Sequence, residues 1–316
     1  MKKTIFLLTM GMIFWSCEED FNPYGEFKEK FILNCVLRGD STFQLASLTK
    51  SYNPSTFNPN VVSEDASIYG ADVRVRIGDS VYIFSDSIVN RADTTRYKTP
   101  FHFYFHDYID LPANKDLELE VLLPSGQRLT SLTKTPQKVQ FDQRSEDVIS
   151  EDSPNFLQFF WNISFTGQYF APRLIFKYSK TNNGSTQVMI KEVPISDLFE
   201  GGLAEHTISV QSTLNVEMQS IRKALEEISA GDPNKANYTI YESALVQVLA
   251  FDQNLSRYYS TTNGSLDDLT VRIDEKDYSN INGGYGIFAS YIKGEYKIKF
   301  LSSFIQSFGY KILISN

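Results

Sequence analysis

The side chains best suited to chemistry are the three histidines, two of which lie close together in the sequence. His102 and His106 alternate with aromatic residues over 101–107. In a strand they share a face but lie about 13 Å apart at roughly 3.3 Å per residue, too far to hold one metal ion. We therefore predict no metal site, and interpret both as exposed histidines flanking a packed face of Phe101, Phe103 and Phe105.

No other residues form a recognised catalytic set. His206 has no accompanying Ser-His-Asp, Cys-His or phosphate-loop signature. Among the 38 acidic residues, Glu226-Glu227 and Asp267-Asp268 are adjacent, but adjacency does not give the separation across a cleft that glycosidases need. We predict that the protein is not an enzyme and uses no cofactor. A hydrolase stays a third hypothesis, because folding could bring such groups together in a cleft.

The N-terminus has the features of an export and anchoring signal. Two lysines precede the short apolar run Ile5–Trp15, which resembles the hydrophobic region of a signal peptide. A membrane-spanning helix needs roughly 17–25 residues, so this run is too short to be one. The Ser16-Cys17 junction resembles a bacterial lipobox, although the residues before Ser16 are bulkier than usual. We predict a signal peptide over 1–16 and lipid attachment at Cys17; the alternative is an incidental cysteine in a leader that is removed.

The segment 17–30 is predicted to be an acidic tether. Its residues 18–20 are all acidic and resemble the surface-export signal of Bacteroidota lipoproteins, or they serve as a solvated spacer. If Cys17 carries lipid, Cys35 has no partner for a disulfide. Cys35 lies in an alternating apolar series, so we predict that it is a core residue.

Composition favours strands and argues against nucleic acid as a partner. The chain has 316 residues, of which 14% are aromatic, and aromatic side chains pack well on pleated sheets. Its length suggests two domains. The net charge of −8 repels phosphate backbones.

The spacing of apolar residues predicts two β-sandwich domains, immunoglobulin-like in type. Period-2 alternation and turn residues indicate about seven strands in an N-terminal domain over 31–137, which is the number found in a small immunoglobulin-like sandwich. The domain over 138–316 opens with an alternating segment at Leu157–Phe165. Further strands are predicted at Arg173–Lys180, Gln187–Val193, His206–Leu214, Ala244–Phe251, Leu269–Ile273, Tyr285–Ile292, Tyr296–Phe300 and Tyr310–Ile314.

One segment of the second domain has helical spacing. Apolar residues recur every three or four positions from Met218 to Ile228, which predicts one amphipathic helix near 216–230 that lies against the sheet. The sequence also permits a second, short helix over Gln253–Ser260.

Exposed aromatic residues in loops are the candidates for ligand contact. We select Tyr52 and Phe57 in the long polar stretch 51–67, and Tyr258 and Tyr259 beyond the Ala244–Phe251 strand, because loops at the ends of sandwich strands commonly carry binding sites. For each of them ordinary packing is the alternative.

The segment Asn280–Phe288, followed by Ala289 and Ser290, resembles the C-terminal motif of a Bacteroidota lipoprotein family known as domain of unknown function 4249. Other features are similar in the same order: the Ser-Cys junction with acidic residues, the first strand at 31–37, the segments 70–73 and 123–126, and the boundary at 135–136. The resemblance covers nearly all of the mature chain. It implies a two-part β architecture and an outer-membrane address, and it assigns no catalytic residues.

These observations favour a binding protein over an enzyme. Our leading hypothesis is a non-enzymatic lipoprotein of the outer membrane, exposed at the cell surface. It binds a ligand or acts as an accessory to a TonB-dependent β-barrel transporter, a partner suggested by association with the family. The alternative is a structural or adhesive component of the cell envelope.

Overall fold

The computed structural model describes residues 27–52, 66–95, 97–182, 184–199, 202–205, 208–262 and 278–314. The N-terminal part of these ranges contains the strands β1 Phe31–Arg38, β2 Gln44–Lys50, β3 Asp72–Ile77, β4 Ser80–Val89, β5 Phe101–His106, β6 Asp116–Leu122 and β7 Arg128–Lys134. The C-terminal part contains the strands β8 Val148–Ile149, β9 Phe156–Phe160, β10 Phe170–Asn182, β11 Ser185–Val193, β12 Ser196–Phe199, β13 Gly202–Glu205, β14 Thr213–Glu217, β15 Tyr238–Phe251, β16 Tyr285–Phe300 and β17 Lys311–Leu313. Its helices are α1 Met218–Glu227, α2 Gln253–Thr262, α3 Ser302–Ser307 and the 3-10 turn Lys235–Asn237. The predicted all-β sandwich class is confirmed.

The N-terminal sandwich is a single sheet that folds over itself. The strand order runs β16-β1-β2-β5-β4-β3-β6-β7. Residues 80–84 of β4 pair with β3, whereas residues 85–89 pair with β5, so this long strand passes from one layer to the other. The last strand in this order, β7, contacts the segment that precedes β16. The contact is an isolated β-bridge between Thr130 and Asn282.

Strand β16 joins the two halves of the molecule. Its residues 285–291 run parallel to β1, and its residues 291–299 run antiparallel to β15. Two separate strands, Tyr285–Ile292 and Tyr296–Phe300, were predicted here, but the structure has one continuous strand. Gly294 lies within it, where a Cβ would overlap the side chain of Val139, so the glycine permits close packing without ending the strand.

Two large hydrophobic cores follow from this arrangement, and a smaller cluster, formed by Phe251, Leu255, Ile287 and Ala289, lies where α2 packs on β16. The N-terminal core runs from Leu33 to Leu129 and includes Ile281, Phe288 and Ile292. The C-terminal core begins at Val139. The predicted boundary near residue 137 therefore falls between the two cores in sequence, while β16 contributes residues to both.

Helix α1 confirms the helix predicted near 216–230. It buries a face formed by Met218, Ile221, Ala224 and Leu225, which is the three-to-four spacing that predicted it. The short helix permitted over 253–260 is present as α2. His206 and the residue after it lie outside the described residues. Of the predicted strand His206–Leu214, the described part forms a strand only from Thr213, where β14 begins and pairs with β9.

The interpretation of β5 was wrong about which face is buried. His102 is 2% exposed and Tyr104 is 1% exposed, whereas the three phenylalanines of the strand are only partly buried. Tyr104 fixes this orientation, because its hydroxyl donates to the Ile68 carbonyl oxygen at 2.8 Å and accepts from the Ala71 N–H at 3.0 Å. The phenylalanines lie on the outer face.

Several other predictions can be placed on the structure. Cys35 is confirmed as a core residue at 1% exposure, and burial raises the pKa of its thiol to about 12. The predicted signal peptide 1–16, most of the tether 17–30 and the predicted strand Leu269–Ile273 lie outside the described residues. In the part of the chain that is described, no helix has both the length and the apolarity needed to cross a membrane.

Candidate functional site

A groove of about 480 Å³ lies where β1 and β16 begin and where α2 crosses them. Its floor is formed by the parallel pair β1–β16, in which Ile32 lies opposite Tyr285. The lining residues come from four separate places in the sequence: Lys30, Ile32, Ser51, Tyr258, Tyr278, Ser279, Tyr285 and Gly286.

Aromatic surface at one side of the groove comes from Tyr285, the first residue of β16. This side chain is 48% exposed, and the Lys30 ammonium lies 4.7 Å from the centre of its ring. A cation at this distance is attracted by the ring's electron-rich face. The contact therefore holds Lys30 at the edge of the groove while the tyrosine remains accessible.

Two further tyrosines come from α2 and from the segment before β16. Tyr258 on α2 is 38% exposed. Tyr278 donates its hydroxyl proton to Asn254 Oδ1 at 2.7 Å. Burial raises the pKa of Tyr278, and the neighbouring Arg257 guanidinium opposes that shift. The groove thus combines flat apolar rings with hydroxyl groups and a cation.

The glycine-rich segment 280–288 fixes the start of β16. A Cβ on Gly284 would lie 2.8 Å from the Phe31 carbonyl oxygen, and one on Gly286 would collide with the Leu33 carbonyl oxygen. Gly286 also has a φ of 107°, a backbone conformation that side-chain-bearing residues rarely adopt. These glycines let the segment lie directly on the backbone of β1.

Side-chain hydrogen bonds stabilise this contact between the segment 280–288 and its neighbouring strands, which we call the Asn280 joint. Asn280 accepts from the Phe288 N–H at 2.9 Å and donates to the Phe288 carbonyl oxygen at 2.7 Å. Ser131 on β7 donates its hydroxyl to the Asn280 carbonyl oxygen at 2.7 Å. The motif is therefore a structural support that connects three strands and presents Tyr285.

Asp252 anchors α2 beneath the groove. Its side chain is fully buried. Oδ2 accepts from the Thr133 hydroxyl at 2.7 Å, and from the Ser290 N–H and hydroxyl at 2.6 and 2.9 Å. Oδ1 accepts from the Leu255 N–H at 2.8 Å, as an N-cap does. Burial raises the pKa of Asp252 to about 6, with the hydrogen bonds acting in the opposite direction.

The structure brings one of the predicted ligand residues into the groove. Tyr258 lines it. Tyr52 directly follows the lining residue Ser51, whereas Tyr259 packs against Phe251 with ring centres 5.2 Å apart. Phe57 and the predicted lipid-attachment site Cys17 lie outside the described residues.

Lys30, Tyr278 and Tyr285 were not selected from the sequence. Tyr285 belongs to the family motif, which was interpreted only through its turn residues. Lys30 belongs to the predicted tether, and its place in the site depends on the parallel pairing of two strands at opposite ends of the chain. Tyr285 lies between two glycines that allow close backbone packing. A search for aromatic residues beside such glycines could have found Tyr285, but not Lys30 or Tyr278.

The described lining of the groove supplies aromatic rings and hydroxyl groups that a ligand can contact. In the ranges the structure covers, no three His, Cys, Asp or Glu side chains are grouped so as to hold a metal ion. A second hollow of about 470 Å³ lies beside α1, and it includes Glu151, Glu217 and Arg222. That hollow is mainly polar and has fewer aromatic residues, so the tyrosine groove is the stronger candidate.

Comparison with known proteins adds a family but no activity. The profile of a protein family described as "Domain of unknown function (DUF4249)" matches residues 18–297. A search of curated proteins finds no match.

Proposed function

The chain belongs to the domain of unknown function 4249 family, and since that membership assigns no activity, we propose a function from the groove itself. The protein is a non-enzymatic binding lipoprotein of the outer membrane, anchored through Cys17 and exposed at the cell surface. It binds its ligand in the tyrosine groove and passes it to, or works beside, a TonB-dependent β-barrel transporter.

The observation that carries this proposal is a set of accessible tyrosines on a rigid support. Binding sites need aromatic surface together with a few fixed polar groups. Tyr285 and Tyr258 remain accessible, although their elements are held from below by the Asn280 joint and the buried Asp252. An aromatic residue that only filled the core would be buried from solvent.

Crosslinking in native membranes tests the groove. Tyr258 is replaced by p-azidophenylalanine in one variant, and Tyr108, which is 69% exposed away from the groove, is replaced in a matched control. After illumination, mass spectrometry is expected to find a ligand adduct at position 258 and none at 108. Adducts at neither site, or equally at both, would contradict a binding role for the groove.

The anchor and the transporter require separate measurements. Replacement of Cys17 by serine is expected to release the protein from the membrane fraction, and protease added to intact cells is expected to digest the wild type. Gentle detergent extraction of C-terminally tagged protein is expected to recover a stoichiometric β-barrel transporter. Recovery of the lipoprotein alone would remove the transporter from the proposal and leave an independent binder.

A second candidate function, a structural or adhesive envelope component, is favoured by an exposed apolar surface. The outer faces of β2, β4 and β5 place Leu45 beside Phe105, while Phe43 stacks on Phe105 with ring centres 5.6 Å apart. Ile83 on β4 is 59% exposed. Apolar patches of this kind commonly mark protein interaction sites. Substitution of Phe43 and Leu45 by serine is expected to abolish cell–cell adhesion if this function holds, and to leave groove crosslinking unchanged.

A further inference from the structure

Two cations lie at the tyrosine groove, and neither has an acidic partner among the described residues. Lys30 contacts the ring of Tyr285, and Arg257 lies beside Tyr278. Neither side chain forms an ion pair with a carboxylate in the described part of the chain. The neighbouring Lys50, in contrast, is paired with Glu29 at 2.7 Å.

The charge of the groove can be compared with that of the whole chain. The protein has a net charge of −8. None of the described residues that line the groove is acidic, and the charged side chain among them is Lys30. Its ammonium group favours an anionic group on a ligand.

The remaining groups of the groove match a sugar. The partly exposed rings of Tyr285 and Tyr258 offer flat faces that can pack against the C–H side of a sugar ring. Their phenol groups, together with the hydroxyls of Ser51 and Ser279, offer donors and acceptors for sugar hydroxyls. A volume of about 480 Å³ accommodates one or two sugar residues, since small-molecule sites typically measure about 300–1,000 Å³.

We infer that the ligand of the groove is an acidic carbohydrate, with a sugar ring on the tyrosines and a carboxylate or sulfate group held by Lys30 or Arg257. This inference rests on the proposed function, and it adds the chemical class of the ligand. A neutral sugar leaves the Lys30 ammonium without an anionic partner, and a cationic ligand finds no carboxylate among the described lining residues. Nucleic acid is disfavoured by the net charge of the whole chain.

Calorimetric titration of the detergent-purified full-length lipoprotein tests the inference. The acidic probes are oligosaccharides of galacturonate, of alginate, of chondroitin sulfate and of heparin, and the neutral probe is maltohexaose. At least one acidic probe is expected to bind, with an affinity that falls as salt is raised because exposed charges are screened. The neutral probe is expected not to bind measurably.

Matched variants identify the groups that recognise the ligand. Lys30→Gln and Arg257→Gln are each expected to weaken binding about fivefold, as for the loss of one exposed charge contact. Lys138→Gln makes the same charge change at an exposed position outside the groove and is expected to have no effect. Tyr285→Ala is expected to abolish binding, because it removes the stacking surface.

The outcomes separate this inference from the proposed function. If maltohexaose binds as well as the acidic probes and Tyr285→Ala abolishes that binding, the groove is a sugar site but the acidic class is wrong. If no acidic probe binds while the crosslinker at position 258 still captures a ligand, the inference fails and the binding function stands. If no adduct forms and no probe binds, both are overturned.

Discussion

Asp252 and His102 are both polar side chains buried within the β-structure, but among the described residues the side chain of Asp252 has hydrogen-bonding partners and that of His102 has none. Four donors surround its carboxylate, which connects α2 to β7 and β16. Within the described ranges, neither ring nitrogen of His102 has a hydrogen-bond partner. The Asp86 carboxylate lies 3.7 Å from its Nε2, and the ring of Tyr69 packs over the imidazole with centres 4.0 Å apart.

The difference shows that burial of a polar group does not by itself indicate a structural role. A buried group that satisfies several donors fixes the elements which carry them, because its removal leaves those donors without partners. A buried group without partners contributes mainly its volume. Asp252 is therefore expected to be needed for the connection of α2 to β7 and β16. His102 is expected to be replaceable by an apolar residue of similar size.

The largest expected effect is that of Asp252→Ala. This change leaves the donors of Thr133, Leu255 and Ser290 unsatisfied, and we expect the free energy of unfolding to fall by about 4 kcal/mol. Urea denaturation measures it, with Asp110→Ala at an exposed position as the control. A loss of less than about 1 kcal/mol would remove the distinction between Asp252 and His102.

A somewhat smaller effect is expected from pH. The pKa of Asp252 is about 6 in the folded protein, against an ordinary value of 3.8. Between these values the folded state binds more protons than the unfolded state, so the free energy of unfolding falls as pH rises through this window. The contribution amounts to about 3 kcal/mol.

Urea denaturation of the wild type and of Asp252→Asn at pH 4 to 7 isolates this contribution. The wild type is expected to lose stability relative to the variant as pH rises, because the amide does not titrate. Parallel pH profiles for the two proteins would show that Asp252 does not titrate in this range.

Thr133→Val tests one of the hydrogen bonds that the Asp252 carboxylate accepts. The side chains have nearly the same shape, so the change removes the hydroxyl that donates to Asp252 at 2.7 Å. Hydrogen bonds to charged groups contribute about 1.5–3 kcal/mol, so we expect a loss of about 2 kcal/mol in the free energy of unfolding. Thr181→Val, at an exposed position, serves as the control.

The smallest effect is expected from His102→Leu. No hydrogen bond is lost and the volume is nearly kept, so the free energy of unfolding is expected to change by less than about 1 kcal/mol. His102→Ala leaves a cavity and is expected to cost about 2 kcal/mol or more. If leucine were as damaging as alanine, the imidazole would have a specific role that its volume does not explain.

Local pattern was sufficient for much of the fold. Strands β3 and β6 alternate cleanly between apolar and charged residues, and α1 repeats its apolar residues at helical spacing, so each could be located from its own sequence. The faces of β5 could not be assigned in this way. Histidine ranks as more polar than phenylalanine, but the hydroxyl of Tyr104 and its partners at 68 and 71 decided the orientation.

The groove was less accessible to prediction than the fold. Tyr258 could be selected as an aromatic residue after a strand, whereas Lys30 and Tyr285 meet only because β1 pairs in parallel with β16. Nothing in the local sequence of either strand specifies a partner so distant along the chain. The predicted ligand residues were sought in loops, but half of the described lining residues, Ile32, Tyr258, Tyr285 and Gly286, lie in β1, α2 and β16.

The pairing of β1 with β16 also has a consequence for the order of events during folding. Phe288 and Ile292 complete the N-terminal core, so the first half of the protein cannot close until nearly the whole chain is available. Contacts between such distant residues slow folding. Because synthesis starts at the N-terminus, the N-terminal core stays incomplete until residues 288 and 292 have been made, almost at the end of the chain.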